Sequence, residues 1–266
     1  MRDRILVPFC LVLSLTLATL HAADVAVANS DGVVTWTPSQ PGPHIQGKFK
    51  PSRWGMYDVE AQLTSPAEGK VTVTIDDKKL EANATGASVK LGRFYIDTEK
   101  QRDITIDAKP ADAGKAVEVK SLVFTPAPEG NPVVQSGDLS ITLHAHDATV
   151  HSVNMRYEFR PDKNTLGYWN NPKDWVSWDF EVKKPGKFIV VVMQGSPDTK
   201  PIQITVADQT LNYNAKNTGS YHTFTFLEVG TITIDKPGNY TLNLKPQGPK
   251  GPFMDVRQII LLPVLK

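Results

Sequence analysis

VTVTIDDKKL (Val71–Leu80) and, further along the chain, IQITVADQTL (Ile202–Leu211) decide the fold. In each, apolar and polar residues alternate for five positions, and an Asp-containing turn is followed by a second short run. Alternation with a period of two is the mark of a strand with one face buried, and a turn closing two such runs is a hairpin. Ile104-Thr-Ile106, Thr231-Ile-Thr-Ile234 and Tyr240-Thr-Leu-Asn-Leu244 repeat the pattern. The runs are short and bounded by Gly, Pro, Asn or Asp, as at Pro185-Gly186 and Pro237-Gly238. No window carries a sustained helical period. An all-β, antiparallel sandwich is predicted.

The two hairpins belong to a longer internal match. Arg53–Val59 aligns with Asp174–Phe180, each with aromatics three apart. Ala84-Thr85-Gly86 aligns with Asn217-Thr218-Gly219, Leu91–Asp97 with Val229–Asp235, and Val117–Pro126 with Met254–Pro263. The order is the same in both halves. Two tandem β-sandwich domains are predicted, over 24–126 and 133–266. They are joined by Ala-Pro-Glu-Gly-Asn-Pro at 127–132, read as a stiff, exposed linker open to proteases.

The N-terminal segment is basic at Arg2 and Arg4, then apolar from Ile5 to Leu20, then small at Ala22. This is the layout of a secretory signal peptide over 1–22, and the apolar run is short for a bilayer span. Its removal takes away Cys10, the single cysteine. It also takes away the excess positive charge, since the whole chain carries only +1. A secreted or periplasmic bacterial protein without disulfides or thiol chemistry is expected, with no membrane attachment after cleavage. No basic cluster reads as a nucleic-acid footprint.

Leu143-His-Ala-His-Asp-Ala-Thr-Val-His151, Met155-Arg-Tyr-Glu158, Lys163-Asn-Thr-Leu-Gly-Tyr-Trp169 and Asp174-Trp-Val-Ser-Trp-Asp-Phe-Glu-Val182 together resemble a known module. It is the non-catalytic one found C-terminal to bacterial sulfatases and fucosidases, similar to carbohydrate-binding module family 6, a galactose-binding-like jelly roll. The resemblance implies a sugar held by loops at one end of the second sandwich. It implies one aromatic from Gly167-Tyr168, a second from Thr218-Gly219-Ser220-Tyr221, and a polar residue at Asp255, where the family has Asn. Asp keeps acceptors there but lacks the amide donors. Trp169, Asn170 and Asn171 lie next to Tyr168 and complete the candidate site. In the first half Lys48 and Ser88 stand at the positions matched to Tyr168 and Tyr221, so that half reads as a spacer or a partner surface.

The tryptophans divide by strand phase. Trp178 and Phe180 alternate with Val176 and Val182 in phase, the pattern of a buried face; Trp175 shares the other face with Ser177, Asp179 and Glu181. Trp175 and Trp178 are assigned to packing, and Trp169 faces either way. Tyr168 and Tyr221 have two readings: rings that stack on the C–H face of a sugar, or loop tyrosines whose hydroxyls satisfy backbone groups. His144, His146, Asp147 and His151 invite a metal, but they are read as a solvated strand face at a sandwich edge. Calcium near Asp147 suits the oxygen chemistry better than zinc. No nucleophile elbow, phosphate loop or sulfatase nucleophile motif occurs in the sequence. Three functions stand after this reading. The first is a non-catalytic protein that binds a glycan or polysaccharide. The second is a structural or interaction module pair serving a separate envelope protein, a sulfatase or a glycoside hydrolase. The third is an enzyme whose acids meet only in three dimensions.

Overall fold

The computed structural model describes residues 25–264 apart from positions 30, 52 and 131. The expected signal segment lies outside the described residues. Among the described residues the regular structure is all strand apart from one short 3-10 turn at Ala145–Asp147.

The first half contains β1 (Val25–Ala28), β2 (Val34–Thr37), β3 (His44–Phe49), β4 (Gly55–Ile75), β5 (Lys78–Ile96), β6 (Arg102–Pro110) and β7 (Val119–Pro126). These form one continuous antiparallel ladder, β1-β2-β7-β4-β6-β3, with β5 on β4. The long β4 pairs with β7 through its first part and with β6 through its second. Tyr57, Val59 and Ala61 from the first part and Val71, Val73 and Ile75 from the second are all buried in a single core. The sheet therefore wraps over itself through one bent hairpin.

The second half contains β8 (Val133–Val134), β9 (Ile141–His144), β10 (Thr149–His151), β11 (Arg156–Glu158), β12 (Thr165–Gly167), β13 (Trp175–Val182), β14 (Gly186–Gly195), β15 (Pro201–Val206), β16 (Gln209–Asn214), β17 (Thr225–Ile234), β18 (Gly238–Pro246) and β19 (Asp255–Pro263). Two six-stranded sheets result. One runs β10-β13-β18-β15-β16 with β8 on β13, and the other runs β11-β12-β19-β14-β17 with β9 on β19. All pairs are antiparallel except the short β8–β13 contact. A separate core fills the space between these sheets.

The ladders of the two halves correspond, but not with the register expected for one block. Tyr57 faces Pro126 across β4–β7, and Phe188 faces Pro263 across β14–β19. With Pro126 and Pro263 equivalent, Tyr57 corresponds to Phe188 on β14, not to Trp178 on β13. The strand corresponding to β13 is β3, since each pairs with the strand (β18 or β6) that also borders the hairpin. The match of Arg53–Val59 to Asp174–Phe180 is thus one strand out, because aromatics three apart are a local pattern that does not fix a partner. Lys48, on β3, is consequently no counterpart of Tyr168. Ser88 likewise lies inside β5, where no loop exists to hold a counterpart of Tyr221.

The strand phase of β13 is as the alternation indicates. Val176, Trp178, Phe180 and Val182 are buried, and the Trp178 indole donates to the His144 carbonyl at 2.7 Å. Trp175, on the opposite face, is half-buried and lies flat on the His151 ring, 3.5 Å between centroids. Both are packing residues.

The join between the halves is not the exposed linker expected. Ala127 is buried and donates to the Met56 carbonyl, and Glu129 and Gly130 both donate to the His146 carbonyl. A Cβ at Gly130 would collide with the Asp147 carboxylate. Arg156 of the second half is buried and ion-paired to Glu99 of the first. Its guanidinium lies 4.1 Å from the Trp54 ring centroid, and Trp54 Nε1 donates to the Tyr157 carbonyl at 3.2 Å. Residues 127–130 are therefore held from both sides, and contacts do cross the join.

Two outcomes follow from this packing. Trp178→Ala removes a fully buried ring and an indole hydrogen bond, and should lower unfolding stability by about 3–5 kcal/mol, read by denaturant melts. Limited proteolysis should leave 127–130 intact in the native chain, while Arg156→Ala, which removes the clamp, should make that segment the first cut, read by mass spectrometry of the fragments.

Candidate functional site

One end of the second sandwich gathers the residues that carry recognisable chemistry, and the local sequence explains how. β12 ends at Gly167, paired with Arg156 of β11. A Cβ there would collide with the Glu158 carboxylate and crowd Asp255 Oδ1, so glycine lets β11, β12 and β19 bring two acids together. Tyr168 follows with φ 60°, a left-handed backbone that is uncommon for a bulky residue and tends to mark sites where geometry matters more than ease. The turn throws the ring outward, and it is 50% exposed. Arg156 sits 4.7 Å from its centroid, and Trp54 meets it edge-on at 5.8 Å. The ring is thus held from one side and open on the other.

The loop at 215–224 supplies the opposite wall. Thr218 and Ser196 fasten it reciprocally. Thr218 N donates to the Ser196 carbonyl at 2.7 Å and Ser196 N donates to Thr218 Oγ1 at 2.9 Å. Gly219 turns with φ 84°, and its N–H donates to Asn217 Oδ1. Gly195 leaves room for the Tyr221 carbonyl, against which a Cβ would press at 2.6 Å. The buried Gln194 side chain donates to the Lys216 carbonyl at 2.9 Å. The backbone that carries Tyr221 is thereby fastened beside the cavity that Tyr168 also lines.

This cavity, of about 270 Å³, is also bordered by Asn170 and, at its base, by Asp255. Its polar rim includes three residues that the sequence had not marked as ligand contacts: Glu158, Lys163 and His222. Lys163 Nζ stands 3.5 Å from Glu158 and 3.3 Å from His222 Nε2. Arg257 anchors this rim, with Nε donating to the Lys163 carbonyl at 3.0 Å and its guanidinium 3.9 Å from the Phe224 ring centroid. Glu158 and Lys163 fall within the stretches that carry the family resemblance, but their spacing alone gives neither a direction. His222 adjoins Tyr221 in sequence, and that adjacency was the available signal.

Two candidate residues are placed differently from expectation. Trp169 is buried at 2% exposure, its indole donating to the Asp174 carbonyl at 3.2 Å and its ring tilted against Phe253. It forms the floor of the cavity from within the core, and its faces are not free to stack. Asn171 does not border the cavity. Its side chain accepts from Lys173 N at 3.1 Å and its carbonyl from Asp174 N at 3.0 Å, so it builds the turn into β13. Tyr168, Asn170, Tyr221 and Asp255 are the candidates the structure brings together.

Asp255 is the most perturbed of them. Burial pushes its carboxyl up to about 7, and the nearby Glu158 pushes in the same direction while Lys163 opposes. Below that value the group is a neutral acid with one O–H donor and remaining acceptors. It therefore regains a donor that an ionised Asp lacks relative to Asn.

The histidines do not converge. His144 and His146 stack at 5.1 Å, whereas His151 bonds Ser177 at 2.9 Å and lies on Trp175. Among the described residues no group of three or more His, Cys, Asp or Glu gathers as a metal site. Asp147 faces His146 at 3.3 Å and the Gly130 backbone, which is not the set of several oxygen ligands that calcium takes.

The molecule is thus an all-β chain whose second sandwich ends in an aromatic-walled, polar-rimmed cleft. Residues 135–263 match the model of a domain of unknown function, DUF5077. No curated protein sequence matches the chain. Among solved structures it is similar to the C-terminal CBM6 of the laminarinase LamC from Zobellia galactanivorans. Identity there is 17%, covering 46% of this chain and 98% of that one, with a TM-score of 0.39. It is similar to CsCBM6-3 from Clostridium stercorarium in complex with cellobiose, at 16% identity over 51% of this chain and 99% of that one, TM-score 0.39. It is also similar to a Paenibacillus xanthan lyase, at 12% identity over 91% of this chain and 25% of that one, TM-score 0.38. Carbohydrate-binding modules of families 6 and 35 recur among these neighbours.

The raised Asp255 carboxyl makes a pH prediction with a definite sign. An acid whose folded value lies above its unfolded value of about 4 binds more protons folded than unfolded. Its contribution to stability is therefore full below about 4 and lost as pH rises through about 7. Asp255→Asn should raise stability at pH 8 and leave it little changed at pH 4, read as thermal midpoints across that range. A residual slope should remain from Glu129, whose carboxyl burial likewise pushes up to about 7 at the join between the halves.

Proposed function

We propose that this is a non-catalytic glycan-binding protein, exported by the N-terminal segment, divided near 127–132, with its sugar site in the second half. The observation that carries the reading is the pair Tyr168 and Tyr221 facing one cavity whose base is Asp255. A sugar ring has an apolar C–H face and a hydroxylated edge, and its recognition calls for an aromatic ring beside fixed polar groups. Tyr168 supplies an open ring, and Asn170, Asp255, Glu158 and Lys163 supply donors and acceptors around it. The strained backbone at Tyr168 supports the same reading, since it presents an otherwise ordinary ring to solvent rather than to the core.

The first half has no equivalent of the loop that carries Tyr221, and the reason is physical. Ala84 and Ala215 are equivalent by the hairpin register, as are Val89 and Leu227 by their pairing to β4 and β14. Positions 85–88 continue β5 with hardly a break, whereas 216–224 leave the ladder and form the loop that holds Tyr221. The first half spends the same stretch on a strand.

The test is a glycan array probed with the purified chain and two variants. Tyr221→Ala should weaken binding of the retained glycan by about tenfold, equivalent to about 1–2 kcal/mol of lost ring contact, with the melting temperature unchanged. Ser88→Ala should leave binding as it is. Retention of no glycan, or Tyr221→Ala binding as well as the parent, would overturn the proposal.

A further inference from the structure

A second, larger cleft opens on the other side of Tyr168, between the two halves. Its volume is about 550 Å³, and it is bordered by Trp54, Thr98 and Glu99 from the first half and by Phe159, Arg160 and Tyr168 from the second. Tyr168, Glu158 and Lys163 border both clefts, so the two are neighbours across a single ring rather than separate depressions.

The rings of this second cleft are arranged to face outward. Phe159 is 52% exposed, which is unusual for a phenylalanine, and it is steadied edge-on by Tyr95 of the first half at 6.2 Å. Trp54 is half-buried and fixed by its indole bond to the Tyr157 carbonyl. The acids at the rim are already engaged. Glu99 pairs with Arg156 and Asp97 with Arg102, leaving Arg160 without an ion pair among the described residues. The cleft is therefore aromatic-lined and carries no excess of negative charge.

We propose that this inter-half cleft binds the sugars next along the same glycan, so that the protein recognises a chain of linked sugars across the join and Trp54 of the first half is a binding residue. This rests on the second-half cavity being the first sugar site. A free sugar or a capped chain end would fill only the smaller cavity, whereas a continuing chain leaves it past Tyr168 and enters the larger one. The same assignment gives the first half a role. It supplies one wall of the cleft and, through Glu99 and Trp54, the orientation of Arg156 and hence of Tyr168.

Titration calorimetry of the full chain with cello-, laminari-, xylo- and manno-oligosaccharides of one to six residues tests this. Affinity for the preferred series should rise about tenfold or more beyond the single sugar, the increment an added ring contact gives. Phe159→Ala should abolish that rise and leave single-sugar affinity unchanged. Trp54→Ala should abolish the rise as well, but Trp54 also steadies Tyr168 and the join, so single-sugar affinity falls with it; Phe159→Ala, which leaves the clamp in place, is the deciding variant. Tyr221→Ala should weaken every length alike. Affinity independent of length, or a rise that survives Phe159→Ala, overturns the inter-half subsite while leaving the first site standing. If Tyr221→Ala binds every length as the parent does, the first site fails and the continuity argued from it fails too. Binding to none of the four series, with no glycan retained on the array either, overturns both.

Discussion

The guanidinium of Arg156 is the contact on which the arrangement turns. It lies 4.1 Å from the centroid of Trp54 and 4.7 Å from that of Tyr168, donates to the Asn154 carbonyl at 2.8 Å, and pairs with Glu99. Arginine is suited to this place because its charge is spread over a plane that can meet aromatic rings while its edges bond. A lysine could pair with Glu99 but could not fill the gap between two rings. Because the charge is buried, losing either Glu99 or the ring contacts would leave it under-compensated, so the halves are coupled by the cost of separating them. The same contact covers one side of Tyr168, which limits the rotamers open to that ring before any ligand arrives and reduces what ordering it would cost on binding.

The loop that holds Tyr221, which the first half lacks, follows from where strands are allowed to break. The two halves share their ladder order, yet β4 and β5 of the first run almost uninterrupted for 21 and 19 residues. In the second the same path is cut into β14, β15, β16 and β17, and the cuts expose backbone that must be satisfied otherwise. Ser196, Thr218 and Asn217 do this with reciprocal side-chain bonds, which is why short polar residues crowd there. Loops so fastened can hold a side chain in place as a strand does, but without committing its ring to the core.

Much of this was legible in the sequence. The alternation of Val71–Ile75 and Ile202–Val206 gives strands, and the in-phase set Val176, Trp178, Phe180 and Val182 gives a buried face, because period-two patterning reports burial directly. The Gly167-Tyr168 and Thr218-Gly219 pairs mark turns, which is a backbone property carried by those residues themselves. What stayed hidden depends on contacts between distant residues. Trp54 reads as a strand aromatic like any other, and nothing near it in sequence announces Arg156 or Tyr168. Trp169 sits beside an exposed tyrosine but is itself buried, because the left-handed turn at Tyr168 ends the strand alternation from which a face could be read. The Pro-rich join looks free because its partners, His146 and Asp147, lie outside it.

Asp255 shows how such distant contacts change chemistry as well as packing. Read as a residue type it is an acceptor, a poor stand-in for an amide. In the fold it is walled in by β11 and β12, with Glu158 drawn close because Gly167 has no side chain to keep it away. Two carboxylates in one poorly solvated corner cannot both ionise cheaply. Asp255, the more buried of the pair, is the one pushed up to about 7. The proton it keeps below that value restores a donor at the base of the cavity, opposite the aromatic walls. An Asn would provide its donors at every pH; the aspartate provides one only while its neighbour's charge and its own burial hold the proton there. Burial is the larger cause of that donor character, and a glycine eighty-eight positions earlier in the chain adds to it through the space that lets Glu158 approach.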